Sequence, residues 1–458
     1  MNRNQPPSAG TDQTQAYSGY FKRDVPEEDR ELTHVGPGTP GGEYLRRFWH
    51  PVAMASELTD VPLAVRILGE DLVLIKSLQG EIGLLNRHCS HRGASLEYGR
   101  ITNEGVQCCY HGWHFAVDGK ILETPGEPPD SQLKNRVMHG AYPTAEYKGL
   151  IFAYMGPPDE QPVLPVYDTF EASDTEWATL SSHFPCNWLQ IHENCMDPFH
   201  ATWLHGLHGR AQLGGPAWGA MPIMQWRETP VGMTCASTRR AGQNVWVSQV
   251  DCIMPNLRQT GFWEDGVSTK SFARSALSVW IVPIDDTNST MIGYRFFNDK
   301  SDPNRLGRKE LCGKESADFD GQSGGRPYRE QQEDPNDWEA NTSQRPIAVH
   351  ALEHRASTDR GVAMVRRKLR QNIEDVVNGK GVKHPALNAQ NLIPTYVNDT
   401  VLCIPSQQDE NDEQDMTLLQ KVGDEIVDIV VSSDYCYESD RDKIIEDNHF
   451  ALEHKYKI

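Results

Sequence analysis

Cys89-Ser90-His91 is followed further along by Cys108-Cys109-Tyr110-His111, and much later Asp197-Pro198-Phe199-His200 is followed by His205. Residues of these types at these spacings bind metals. The first set offers two thiolates and two imidazoles on two short segments. That suits a two-iron, two-sulfide cluster in which Cys89 and Cys108 take one iron and His91 and His111 the other. Imidazole ligands raise the reduction potential well above that of the all-cysteine kind. The same four donors also suit a structural zinc ion, and spacing alone leaves both open. The second set offers the two histidines of a mononuclear iron(II) site, which needs one carboxylate more and keeps a face free for O2 and substrate.

His200 and His205 are five residues apart. On a regular α-helix they stand about 500° apart, which leaves roughly 140° between them on the wheel. Both can face one metal only if the helix is distorted, and Pro198 just upstream is a reason for irregular backbone. A downstream carboxylate must complete the set, and Glu333, Asp334, Asp337 and Asp359 are the candidates.

The elements that must position these groups fall into two patterns. Thr39-Pro40 reads as a cap and first turn of a helix running through Tyr44, Leu45, Phe48 and Trp49. From Pro51 to about Gly156 short β-like runs dominate, such as Ala64–Leu68, Asp71–Lys76 and Ile82–Asn86, with Gly69 and Gly80 between them and Asp118-Gly119 as a tight turn. This predicts a compact all-β domain whose loops carry the first ligand set. After Gly156-Pro157-Pro158 comes a longer α+β region. Asn187 to Cys195 reads as a helix leading into the second set, and strands are expected at 232–237, 245–252, 278–283 and 290–297. Residues 301–340 read as a long polar loop, 347–377 as one helix stopped by Gly379, and Asp409 to Asp415 as a solvated acidic loop. The expected division is a polar tail over 1–28, a helical segment over 29–50, an all-β domain over 51–156 and a catalytic domain over 157–458.

Bulk properties narrow the function. The chain has 458 residues, 38% of them apolar, enough for two or three domains. A formal net charge of −20 argues against nucleic acid and against an anionic membrane surface. No run of apolar residues is long enough for a spanning helix. Met1 to Gly19 is polar and lacks the basic and apolar regions of a signal peptide, and the ten cysteines are scattered, so a reducing cytoplasm is expected. Gly36-Pro37-Gly38-Thr39-Pro40-Gly41 matches a dinucleotide-binding glycine pattern by letters, but it follows no strand and two prolines spoil the turn. With no flavin or nicotinamide site, electrons must arrive from a partner. Arg87, Arg92 and Arg100, around the cluster loops, either steer an acidic partner or are ordinary surface charge. The stripe Arg366-Arg367-Lys368-Arg370 reads as a solvated helix face.

The strings Cys89-Ser90-His91-Arg92-Gly93-Ala94 and Tyr110-His111-Gly112-Trp113-His114-Phe115 resemble the Rieske domain of ring-hydroxylating oxygenases, which favours iron–sulfur over zinc. The family usually has proline after the second cysteine. Here Cys109 stands there, so Cys108 is read as the ligand and Cys109 as a free thiol. Asn187-Trp188, Glu193-Asn194, Asp197, His200 and His205 resemble the iron motif of the same family.

Several expectations follow from this resemblance, which spans roughly residues 30 to 375. The fold is α+β, a Rieske β domain followed by a helix-grip catalytic domain. The cofactors are a [2Fe-2S] cluster and mononuclear Fe(II). Asp197 bridges a cluster histidine and an iron histidine, with His111 and His200 as the implied partners, usually across a subunit boundary. Asp197 and Asn194 are thereby placed in the catalytic machinery. The segment from Asp337 to Asp359, with Arg345-Pro346-Ile347 inside it, resembles the phthalate-dioxygenase-like branch and points to Asp337 as third ligand. The implied protein is the oxygenase (alpha) component of a multicomponent system, a head-to-tail homotrimer fed by a ferredoxin and/or an NAD(P)H-dependent reductase. Within that branch the chain looks closest to aryl methyl ether O-demethylases of the dehydrodivanillate type. A dioxygenase acting on a phthalate-like aromatic compound is the alternative. Met254, Phe262, Trp263 and Trp280 are candidates for the pocket wall, and core packing explains each at least as well.

Overall fold

A computed structural model describes residues 16–172, 175–208, 217–261, 266–302, 304–319, 321–388, 390–406, 412–433 and 438–457. Its N-terminal half is built from short antiparallel strands, as the alternating pattern requires. Leu63–Ile67, Glu70–Lys76, Ile82–Asn86 and Ala141–Tyr142 form one four-stranded sheet, and Arg100–Ile101, Gly105–Gln107, His114–Ala116 and Ile121–Glu123 form another. A third sheet pairs Trp49–Met54 with Leu150–Tyr154 and Thr144–Tyr147. Val73, Ile75, Leu85, Leu96, Val106, Phe115 and Ile121 fill a separate small core with Cys89, Cys108 and Trp113.

The C-terminal half is one large antiparallel sheet. Along its main path lie Glu176–Phe184, Asn288–Phe297, Leu277–Asp285, Leu257–Thr260, Asn244–Ile253, Gly232–Ala241 and Ile223–Thr229; Asn398–Leu402 pairs with both Asn244–Ile253 and Lys270–Ala273. Helix Asp412–Val431 covers part of it through Leu419, Val422, Ile426 and Val427, packed on Ala236, Val245 and Val247. Helix Arg360–Val377 packs through Met364, Val365, Leu369 and Ile373. At its start Gly361 permits the closest approach: an added Cβ would stand 2.1 Å from the Met196 carbonyl oxygen.

The two halves are joined by hydrogen bonds to main-chain carbonyl groups. The hairpin turn Leu68-Gly69 has φ of 49° and 78°, and its two N–H groups donate to Pro283 O and Ile284 O, each at 2.9 Å. Asn187 Nδ2 donates to Thr33 O at 2.8 Å and to Asp286 O at 2.7 Å. The residue that starts the helix before the second ligand set thus also ties the N-terminal segment to the large sheet.

Several expectations are corrected here. The N-terminal helix is Pro40–Leu45, capped by Thr39 Oγ1 accepting from Gly42 N at 3.2 Å, and Trp49 already begins a strand. Residues 301–340 contain helix Tyr328–Glu333 and the start of Asp337–Thr342, and the long downstream helix starts only at Arg360. Of the acidic run, Asp412, Glu413 and Asp415 form the first turn of a helix, where carboxylates favour the positive end of its dipole. Arg366 is buried, not solvated: its Nε donates to Glu193 at 2.8 Å, and Nη2 donates to Glu353 at 2.8 Å. The expected tail lies outside the described residues up to position 15, and Glu28 next to its end pairs with His34 at 3.2 Å. No described helix is long and apolar enough to cross a membrane.

Candidate metal centres

The two cluster loops are built alike. Cys89 N donates to Ala94 O at 2.9 Å and Gly93 N to Cys89 O at 2.8 Å; Cys108 N donates to Trp113 O at 2.8 Å and Gly112 N to Cys108 O at 3.1 Å. Each loop therefore closes on its own cysteine. Gly93 and Gly112 sit at φ of 77° and 73°, where a side chain would be strained. The loops bring all four expected ligands together. Cys89 and Cys108 are buried, and burial pushes the Cys89 thiol up to about 11, with the Cys108 sulfur as a close neighbour. Iron held there would take Cys89 as the thiolate. The rings of His91 and His111 are 4.6 Å apart at the protein surface, and His91 stacks on Trp113 at 4.7 Å. Thiols inside and imidazoles outside fit a cluster with one iron buried and one facing an electron acceptor. Cys109 is exposed, unlike the buried Cys108 beside it. Arg87 pairs with Glu97 at 2.9 Å and Arg100 Nη2 donates to Gln107 at 2.6 Å, while Arg92 lies over the Tyr110 ring.

The second centre begins at helix Trp188–Glu193, which Asn187 caps by accepting from Leu189 N at 3.1 Å. After the turn Asn194–Met196 the chain passes Asp197 and Pro198 into a new helix, and from Ala201 to Leu207 it is a π-helix. One of its closing bonds is His208 N to Trp203 O at 2.7 Å, a five-residue step. A helix closed by such steps stacks residues five apart on one face. This is the distortion that His200 and His205 needed. Their rings lie 5.3 Å apart. Pro198 opens the segment rather than kinking it.

Asp337 completes the set. Its Oδ1 lies 3.4 Å from His205 Nε2 and 3.7 Å from His200 Nε2, and the three side chains offer donor atoms within 4.8 Å of one another. Glu333, Asp334 and Asp359 are not in this group. A capping box fixes Asp337 at a helix start: Asn336 Oδ1 accepts from Asp337 N at 3.1 Å and Glu339 Oε2 from Asn336 N at 2.9 Å. Gln322 Nε2 donates to Asp337 Oδ2 at 2.8 Å, whereas the buried Oδ1 accepts no hydrogen bond. An acceptor left bare between two imidazole nitrogens fits a cation, and two histidines with one carboxylate are the donor set of non-haem iron(II). Burial raises the Asp337 pKa, but the imidazoles of His205 and His200 and the Arg258 guanidinium outweigh it and hold the carboxyl well below its usual range. His200 Nδ1–H donates to the Asp197 carbonyl oxygen in a short contact, which presents Nε2 to the metal position. The Asp197 carboxylate, a third exposed, lies 4.0 Å from the same ring. Asn194 Nδ2 stands 3.4 Å from His200 Nε2, and its Oδ1 accepts from Arg258 at 3.3 Å.

His200, His205, Asp337 and Asn194 line a pocket with Trp218, Arg239, Val250, Arg258, Leu277, Phe319 and Gln322, whereas Asp197 lies outside it. Gln322, Arg239 and Arg258 were not foreseen. The Asn336-x-x-Glu339 capping signal marks the helix that aims Asp337, whereas Arg258 sits in the mixed strand Leu257-Arg258-Gln259-Thr260 and carries no local signal. Met254 and Trp280 line a different cavity, and Phe262 and Trp263 lie outside the described residues.

Residues 48–145 match the Rieske [2Fe-2S] domain. The chain is 44% identical over 89% of its length, and 91% of the relative's, to the tert-butanol monooxygenase / tert-amyl alcohol desaturase oxygenase subunit of Aquincola tertiaricarbonis. It is 35% identical to the phenoxybenzoate dioxygenase subunit alpha of Ectopseudomonas oleovorans, over 79% and 89% of the two chains. It is 32% identical to the 5,5'-dehydrodivanillate O-demethylase oxygenase subunit of Sphingobium sp., over 82% and 88%. The fold matches dicamba monooxygenase bound to dicamba with a TM-score of 0.56 at 18% identity, over 73% of this chain and 99% of that one. Two metal-ligand sets on the frame these relatives share leave one conclusion: the chain belongs to the oxygenase components of Rieske non-haem iron systems.

Proposed function

We propose that the chain oxidatively removes the methyl group of an anionic methoxylated aromatic compound. In balanced form, ArOCH3, O2, two electrons and two protons give ArOH, formaldehyde and water. The observation that carries the substrate class is a pair of buried guanidinium groups in the pocket of His200, His205 and Asp337. Arg239 is 1% exposed and Arg258 7%. Arg239 donates to Ala220 O, Ser237 and Thr202, and Arg258 to Asn194 and the Met291 sulfur. None of these acceptors is a carboxylate, and Arg258 Nε has no partner. Buried charges need compensation. With Asp337 committed to a metal, a carboxylate or phenolate on the substrate supplies it. Trp218, Val250, Leu277 and Phe319 offer the apolar surface for an aromatic ring.

In this reading His200, His205 and Asp337 hold iron(II), and Cys89, His91, Cys108 and His111 hold the cluster. Iron(II) with an open face supplies reductive activation of O2. Gln322 and the Asp197 carbonyl orient two of its ligands, Arg258 orients Asn194 and the substrate anion, and Asp197 couples His200 to a cluster histidine. The assembly is a cytoplasmic homotrimer in which a ferredoxin and/or an NAD(P)H-dependent reductase reduces the cluster. The proposed division places the all-β unit over 51–156 and the catalytic unit from 157; the strand Leu150–Tyr154 ending just before residue 156 supports the second boundary, while the strand Trp49–Met54 runs across the first. The demethylase relative supports demethylation, and the phenoxybenzoate relative supports dihydroxylation as the second reading.

Product analysis under labelled O2 with a panel of methoxybenzoates tests this. Formaldehyde equimolar with the phenol is expected. A diol carrying both oxygen atoms, without formaldehyde, would replace this reading with the second. Neutral anisoles turned over as well as the benzoates would remove the anionic substrate class.

A further inference from the structure

Three metal-binding side chains outside the two centres converge from two segments remote in sequence. His192 stands on helix Trp188–Glu193, and Cys195 follows three residues on, in the turn Asn194–Met196. Residues three apart on helical backbone are neighbours. Cys252 lies on strand Asn244–Ile253, opposite Arg258 in the sheet register. His192 and Cys252 are fully buried, and Cys195, at the wall of the iron pocket, is 6% exposed. Each offers one donor atom, and the three atoms lie within 4.8 Å of one another. His192 Nε2 is 3.5 Å from Cys252 Sγ. Donors around one tetrahedral zinc ion, with bonds of about 2.0–2.3 Å, stand roughly 3.5–3.8 Å apart.

Hydrogen bonds among these groups satisfy them poorly. A thiol is a weak donor and a weak acceptor. The His192 ring stacks on Trp188 and meets Cys252 Sγ, but its Nδ1 has no partner. Burial and the Arg258 charge hold this imidazole neutral, its pKa down to about 3, and the neutral ring is the form that binds a metal. The neighbouring Cys195 sulfur and burial push the Cys252 thiol well up, so it keeps its proton until a cation displaces it.

We propose that His192, Cys195 and Cys252 form a third metal site, apart from the cluster and the iron(II), that takes one zinc ion per chain. Two sulfurs and an imidazole are the donors of a thiophilic cation, and no carboxylate belongs to the group, which disfavours calcium and magnesium. Charge then selects a divalent ion. As each sulfur–zinc bond forms, that thiol releases its proton to solvent, and two thiolates cancel the 2+ charge. The loaded site is neutral, as a buried site requires. Zinc accepts two cysteines and a histidine with water as the fourth ligand. The ion would fasten the turn Asn194–Met196 to the large sheet just ahead of Asp197 and His200.

The test uses the holoenzyme, with cluster and iron in place, purified from cells grown with added zinc so that the ion can enter as the chain folds. About one zinc per chain beyond the three irons is expected, retained through dialysis. Cobalt(II) supplied in its place reads the donors. A sulfur-to-cobalt charge-transfer band is expected in the difference spectrum against the zinc-loaded protein, and the nitrogen and oxygen donors of His200, His205 and Asp337 cannot give it. Cys195→Ala and Cys252→Ser each remove one thiolate. Both should weaken zinc by about hundredfold or more and abolish the cobalt band, with the Rieske EPR signal unchanged. A wild type with no zinc beyond its irons would overturn the proposal. So would zinc that replaces iron one for one, cobalt bound without the sulfur band, or zinc held by both variants as by the wild type. The wild-type measurements decide even where a variant fails to fold. None of these outcomes depends on which reaction the iron site performs.

Discussion

Asp337 Oδ1 lies 3.4 Å from His205 Nε2 with no hydrogen bond of its own, while its sister oxygen is taken by Gln322 at 2.8 Å. The carboxylate is thus turned so that one oxygen is structural and the other is free for a metal. The π-helical stretch from Ala201 and the capping box at Asn336, on segments remote in sequence, converge on that arrangement.

Removing the ligand and removing its support should have different effects. Asp337→Ala is expected to release the mononuclear iron and leave the Rieske signal intact, taking total iron from three to two per chain. Gln322→Leu keeps all three ligands but frees the carboxylate to rotate, and should weaken iron binding by roughly 10–100-fold. Metal analysis with EPR of the dithionite-reduced protein reads both. A Gln322→Leu protein that retains iron through dialysis as the wild type does would mean that the bond to Oδ2 does not orient the ligand.

Asp197 uses its backbone and its side chain differently. The carbonyl accepts from His200 Nδ1, and the carboxylate, a third exposed, lies 4.0 Å from the same ring. Asp197→Asn leaves the carbonyl in place, so both metals should remain at wild-type content. Turnover should fall by two orders of magnitude or more if the carboxylate carries the coupling between centres. Single-turnover oxidation of the prereduced cluster is the measurement, and a wild-type rate would remove Asp197 from the electron path.

The candidate cluster ligands stand out in the sequence because each loop is fixed by residues within five positions: cysteine, histidine and the glycine that turns the loop. His200 and His205 were legible as a pair, but their common face depends on a π-helix, and helical periodicity assumes regular turns. Asp337 was one acid among many in a chain of net charge −20. What sets it apart is a tertiary contact with Gln322 and a cap. Arg366 misled for the same reason: beside Arg367, Lys368 and Arg370 it reads as surface charge, and only the fold brings Glu193 and Glu353 to it. Helix Asp412–Val431 follows the acidic run from Asp409, and the charge of its first turn hid the buried stripe Leu419, Val422, Ile426 and Val427.

Asp251 makes stability depend on pH. It is fully buried, its Oδ2 accepts from Tyr396 N at 2.8 Å, and its Oδ1 has no hydrogen bond. Burial pushes its carboxyl up to about 7. An acid whose folded pKa exceeds the unfolded one holds its proton more tightly when folded. The stability this contributes is present at low pH, is lost as pH rises from about 4 to about 7, and stays lost above. Asp251→Asn keeps an acceptor for Tyr396 N and abolishes the titration. Its Tm should exceed that of the wild type at pH 8, by about 2–4 °C for each kcal/mol recovered, and the gap should close toward pH 5. A gap that is the same at both pH values would show that Asp251 is ionised in the folded protein throughout.

Arg258 connects substrate charge to the metal ligands. It holds Asn194 Oδ1 at 3.3 Å, Nε is unpartnered, and its charge contributes to keeping Asp337 ionised. Arg258→Met preserves the stem, which packs in the same space, and removes only the charge and the donors. A charge-assisted hydrogen bond in a buried site is worth roughly 1.5–3 kcal/mol, so kcat/KM for a methoxybenzoate should fall by about 10–100-fold. The same change should leave a neutral anisole within a few-fold of its wild-type value. Because Asn194 also loses its anchor, iron content must be measured in parallel. Loss of activity toward both substrates at full iron content would assign Arg258 to positioning Asn194 rather than to recognising the anion.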